Sequence, residues 1–119
     1  MVDCLPFRTD KEILELFNSK FGTNVASRCR KLTEEYHELM EVLDNANVDD
    51  LQPEHFKEFA EDFIDELSDL NAVVFHIAGI LGLTQDKLLS MAVDKVVGRE
   101  KDPNYKRKHP HVKHKYEKP

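Results

Sequence analysis

The sequence predicts an all-α fold, a helical bundle of four to five helices. Three observations carry this. Helix-forming residues dominate, with four glycines and no tryptophan in 119 residues. Apolar residues recur at spacings of three and four over long stretches, the period of one helix face. No alternation long enough for a useful strand appears, and no internal repeat is found.

Taken in order, Asp10 is placed to cap a short helix, KEILELFNSKF, that stops at Gly22. Thr23 or Asn24 starts a second helix over roughly 25 to 45, whose apolar face is read as Val25, Cys29, Leu32, Tyr36, Leu39 and Leu43. NANVDDLQ is a connector. Pro53 suits the first turn of a long third helix that runs to Leu81 and stops at Gly82. Phe56, Phe59 and Phe63 have helical spacing on it and are expected in the core. Thr84 caps a fourth helix, QDKLLSMAVDKVVGRE. Residues 1–100 are read as one domain and 101–119 as a basic, proline-punctuated tail. Helix three is apolar around much of its circumference from Ala72 to Leu81, more than three companion helices can cover. A second copy of the chain is therefore expected to complete the core, as a homodimer or homotetramer.

Charge narrows the function classes. The formal net charge is -6, but the tail carries seven Lys/Arg against two acids, while the first hundred residues carry ten basic against twenty-one acidic side chains. An acidic body argues against nucleic acid as a partner and favours cations. The two cysteines, Cys4 and Cys29, have no CxxC spacing and are read as free thiols in a reducing compartment. No secretory leader is read at the N-terminus, and the apolar run 72–83 is shorter than the roughly 20 residues a span requires. The expectation is a cytoplasmic protein without a membrane partner.

The chemistry lies in two short acidic motifs. Glu35 and Glu38 share one strip of helix two, with Lys31 on the same strip and Arg28 close to it. Glu66 and Asp69 share a strip of helix three, and Asp62 stands one turn earlier on the same line. Each strip borders the buried face of its helix. If the helices pack antiparallel, four carboxylates meet, and unpaired they repel. A hard divalent cation removes the repulsion, and oxygen-only ligands favour magnesium, manganese or calcium. Magnesium also takes phosphate oxygens readily, which suits a phosphate-chain substrate. The ordinary alternative is a solvated acidic face. Glu61 and Asp65 are expected to face solvent. His76, in an apolar run, is read as a core or interface histidine. Glu34 and His37 mimic one half of a di-iron motif, but no second half appears on helix three. His109, His111 and His114 are read as tail histidines, and Lys106 or Arg107 as residues that a folded-over tail would bring to phosphates.

Together, Glu34-Glu35-Tyr36-His37-Glu38 and, after a spacer, Glu66-Leu67-Ser68-Asp69 resemble the EExxE and ExxD pair of the all-α nucleoside triphosphate pyrophosphohydrolases, the MazG-like enzymes and their relatives. The resemblance covers roughly residues 25 to 105. It implies hydrolysis of a nucleoside triphosphate substrate between the α- and β-phosphates, giving a monophosphate and pyrophosphate. It places magnesium, with manganese as a substitute, on Glu35, Glu38, Glu66 and Asp69, and a general base at Glu38 or Glu35. Lys31, Lys95 and Arg99 match positions that face the phosphates, although the asparagine some members carry at the last of these is absent. Phosphoribosyl-ATP pyrophosphohydrolase is the nearest alternative within the class. A non-catalytic helical nucleotide-binding or regulatory module is the alternative outside it.

Overall fold

A computed structural model describes residues 8–102. The chain is all-α, with no strand among the described residues. The helices are α1 (Asp10–Phe21), α2 (Val25–Ala46), α3 (Phe56–Ile80) and α4 (Gln85–Lys101). Two single 3-10 turns, Val48–Asp50 and Pro53–His55, lie between α2 and α3. The chain divides into two compact units at Leu88–Leu89. The first contains α1, α2, α3 and the opening turn of α4; the second contains the rest of α4. Residues 103–119, which hold nearly all of the basic tail and its histidines, lie outside the described residues, as does Cys4.

The helix ends have local causes. At α1 the cap is Thr9 rather than Asp10. Its hydroxyl accepts from the Glu12 N–H at 3.2 Å, and the Glu12 carboxylate accepts from the Thr9 N–H at 3.3 Å, a closed capping box. Asn24 caps α2, its side-chain oxygen accepting from the Ser27 N–H at 2.8 Å. Asn47 takes the left-handed conformation after α2, with φ 49°. Gly82, at φ 81°, ends α3, with Gly82 N–H bonded to Gly79 O and Leu83 N–H to Ala78 O, the paired bonds of a Schellman stop. Thr84 then caps α4 through the Lys87 N–H at 3.1 Å.

α3 is the central element of the first unit, packing against α2 along its length and against α1 near its C-terminal end. Gly79 permits the α1 contact, because a Cβ there would collide with the Leu14 side chain. The core of this unit is small. Its buried apolar side chains are Leu39, Val73, Phe75 and Ala78.

The buried face of α2 differs from the apolar face expected. Cys29 is exposed and Tyr36 is half exposed, while Arg28 and Glu35 are buried. The face is rotated toward the line 28, 32, 35, 39, 42. Arg28 is tolerated because its guanidinium lies 4.7 Å from the centre of the Phe21 ring. Phe56 also departs from expectation: it is 61 % exposed, while Phe59 and Phe63 are partly buried and stack on each other.

His76 is fully buried, as expected of a core histidine. Its Nε2 lies 2.9 Å from the Asn18 side-chain oxygen, an acceptor for the Nε2–H tautomer, while Nδ1 is buried with no partner. Phe17 and Phe21 pack beside the ring. Burial, reinforced by the nearby Arg28 charge, holds its pKa below the ordinary imidazole value. Both causes favour the neutral ring.

Candidate metal centre

The antiparallel packing of α2 on α3 brings Glu35 and Glu38 against Glu66 and Asp69. One carboxylate oxygen from each lies within 4.8 Å of the others. Glu35 is buried, Glu66 is half-buried, and Glu38 and Asp69 stand on the exposed rim. The cluster is therefore open on one side and closed on the other.

The electrostatics are those of an acidic cluster with too few positive partners. Lys31 Nζ sits 3.1 Å from Glu35 Oε1 and 3.3 Å from Glu34 Oε2, and the bond to Glu35 raises the Lys31 pKa. Glu34 thus serves Lys31 from the solvent side and takes no part in the cluster. The other Glu35 oxygen, Oε2, is buried without a hydrogen-bond partner, and so is Glu66 Oε2. The Glu38 pKa is raised by the adjacent Glu35 carboxylate, which accepts a hydrogen bond from Glu38 only when Glu38 is protonated, and by the Glu35 charge. That of Glu66 is raised by burial and then by Asp69 and Asp65, and that of Asp69 by burial and then by Glu35. Three of the four acids thus hold protons more tightly than free carboxylates do.

These features fit a hard divalent cation. The donor set is all oxygen, and two of the oxygens are buried with no partner. A neighbouring unpaired charge is costly in such a setting, and a cation would remove that cost. The half-open geometry leaves positions for water or phosphate. Magnesium, manganese and calcium suit a set of this kind; zinc, which favours nitrogen and sulfur donors, suits it less.

Of the other candidates, Lys31 is at the cluster. Lys95 and Arg99 lie on α4 within the second unit, so their approach to phosphates stays an expectation from the resemblance. Asp62 is exposed and lies outside the four-acid cluster, though on the same side of α3. Glu61 and Asp65 are exposed, as expected. Glu34 and His37 are both exposed, and neither joins the cluster. Sequence reading undervalued Arg28 and Asn18, the polar residues around His76. The signal available for Arg28 was its place seven residues, about two turns, before Glu35 on the same face.

Comparison with family models, with characterised proteins and with solved structures finds no match. The likeness to the pyrophosphohydrolases therefore rests on the motif residues and their spacing. No single helix among the described residues is long and apolar enough to cross a membrane.

Proposed function

We propose that this protein is a magnesium-dependent nucleotide pyrophosphohydrolase that cleaves a nucleoside triphosphate, ribo or deoxy, between the α- and β-phosphates. The observation that supports it most is the meeting of Glu35, Glu38, Glu66 and Asp69 within 4.8 Å, with buried oxygens of Glu35 and Glu66 lacking any partner. The all-helical frame and the EExxE and ExxD motifs agree with that reading.

In this proposal Glu35, Glu38, Glu66 and Asp69 hold the magnesium. When bound, magnesium neutralises charge on the phosphate chain and makes water easier to deprotonate. Glu38, on the exposed rim, is within reach of entering water and accepts its proton during in-line attack on phosphorus. Glu35 is held through its Oε1 by Lys31. Lys31 also balances part of the negative charge that the phosphates bring. The resemblance would add Lys95 and Arg99 as groups that bind the departing pyrophosphate.

Incubation with a panel of ribo- and deoxynucleoside triphosphates tests this reading. Pyrophosphate release is expected with magnesium and is expected to vanish with a chelator. No release from any nucleotide under magnesium or manganese would defeat it.

A second copy is part of the proposal. The first unit buries few apolar side chains, yet Phe56, Ile64, Leu67 and Leu81 are exposed on and just past α3. Isolated exposed residues are ordinary, but this many in a small protein argue for coverage by another chain. Size exclusion with light scattering is expected to give a dimer or tetramer; a clean monomer would contradict the shared core.

A further inference from the structure

Lys31 is a positive group built into the edge of the acidic cluster. On α2 it stands one turn before Glu35, and Glu38 follows about one turn after, so the three share a strip. Its Nζ meets Glu35 Oε1 at 3.1 Å and Glu34 Oε2 at 3.3 Å. The two ends of the Glu35 pair differ: the Lys31 side chain is 42 % exposed, the Glu35 side chain 7 %. The ammonium therefore reaches a buried carboxylate from the solvent side. Its charge also acts on Glu38 and Asp69 and favours their ionised forms.

One ammonium does not satisfy the cluster. Four carboxylates converge within 4.8 Å, and Oε2 of both Glu35 and Glu66 is buried without a partner. A divalent ion among the four acids would meet Lys31 across the Glu35 carboxylate. Both cations are drawn to Glu35, and they repel each other. A lysine is suited to give way. Its stem is flexible and its head is a compact, strongly hydrated charge. An ion pair with a solvent-exposed partner is also held weakly. Glu34, exposed on the outer side, offers a displaced ammonium a second carboxylate within reach.

We propose that Lys31 is the resident counter-cation of the metal centre and competes with the divalent ion for Glu35. It lessens repulsion among the acids before the ion binds, and it weakens binding of the ion. This rests on the metal centre of the proposed function. It adds that Lys31 sets the cation affinity of that centre, acting through Glu35.

The test is manganese titration followed by electron paramagnetic resonance at pH 7.5 and low ionic strength, on wild type, Lys31→Met and Lys31→Arg. Lys31→Met is expected to bind manganese roughly tenfold more tightly, the scale of repulsion between a single and a double positive charge about 6 Å apart in a water-like medium. Lys31→Arg keeps the charge and is expected to bind nearly as wild type does. The gap between wild type and Lys31→Met is expected to narrow in strong salt, which screens an exposed charge. Melting reports the same linkage. Without a divalent ion Lys31→Met is expected to melt below wild type, and its gain with magnesium is expected to be the larger. A residue that only braced the helix would lower the melting temperature equally in both conditions and would not tighten manganese binding. Lys31→Gln serves if Lys31→Met fails to fold. Saturable binding by wild type with equal or weaker binding by Lys31→Met, or tightening by Lys31→Arg as large as by Lys31→Met, would overturn the assignment and leave the metal centre standing. Absence of saturable binding by wild type would overturn both.

Discussion

Glu38→Gln is expected to lower magnesium-dependent pyrophosphate release by about 10²- to 10⁴-fold, the range for loss of a positioned general base, and to leave the helical circular dichroism unchanged. The reasoning is local. Glu38 stands on the exposed rim of the cluster, one turn beyond buried Glu35. Glutamine matches its shape, keeps one oxygen acceptor and cannot take a proton. Nothing in the core depends on the Glu38 charge, and its replacement relieves repulsion from Glu35 and Glu66, both of which raise its pKa. A folded variant with an unchanged rate would mean that the reaction takes place elsewhere or that another residue is the base. A loss of rate together with a loss of helicity would show a structural role instead.

The second large effect is a magnesium-linked gain in stability that depends on pH. Glu38, Glu66 and Asp69 have raised pKa values in the folded, metal-free protein. The folded state therefore binds protons more tightly than the unfolded chain. Stability contributed this way is present at low pH and is lost as pH rises from the ordinary carboxylate range through the raised folded values. Metal-free protein above those raised values has lost it. A cation that binds only the folded form restores stability, and at a concentration far above its Kd the rise in melting temperature is on the order of 10 °C. As pH falls through the raised folded values, protons compete for the same oxygens, and the rise should shrink.

His76 acts in the opposite direction. Its lowered pKa gives stability that is present above the ordinary imidazole value and is lost as pH falls from there through the lowered folded value. A raw melting curve therefore mixes two trends. The difference between wild type and Glu66→Gln separates them, because both proteins keep His76. Without metal at pH 7.5 the variant is expected to melt higher than wild type, since one half-buried carboxylate oxygen with no partner is gone. With magnesium the order is expected to reverse. Equal melting temperatures under both conditions would mean that Glu66 is neither strained by the cluster nor a ligand.

Much of this was legible in the chain, for identifiable reasons. The all-α class followed from spacing, and α2 and α3 ran almost to their expected ends because Asn24, Pro53 and Gly82 mark those ends by backbone chemistry alone. The four acids were found because three-four spacing places each pair on one strip, and antiparallel packing then has few registers that bury the leucines. The cap of α1 was misassigned because Asp10 and Thr9 are both good caps; the deciding signal was Glu12, three residues after Thr9. The face of α2 was misread by treating charge as exposed. Arg28 is buried because Phe21 covers it, and Glu35 because Lys31 and the cluster give it a role. Such compensation depends on residues distant in sequence, so periodicity could not show it.

The central claim is that Glu35, Glu38, Glu66 and Asp69 hold a divalent cation. The most direct measurement is manganese binding followed by electron paramagnetic resonance at pH 7.5, on wild type and on Glu35→Gln/Glu66→Gln. The account predicts saturable binding by wild type, displaced by magnesium, and its loss in a variant that keeps its helicity. Binding of equal strength in both proteins, or none in wild type, would contradict it.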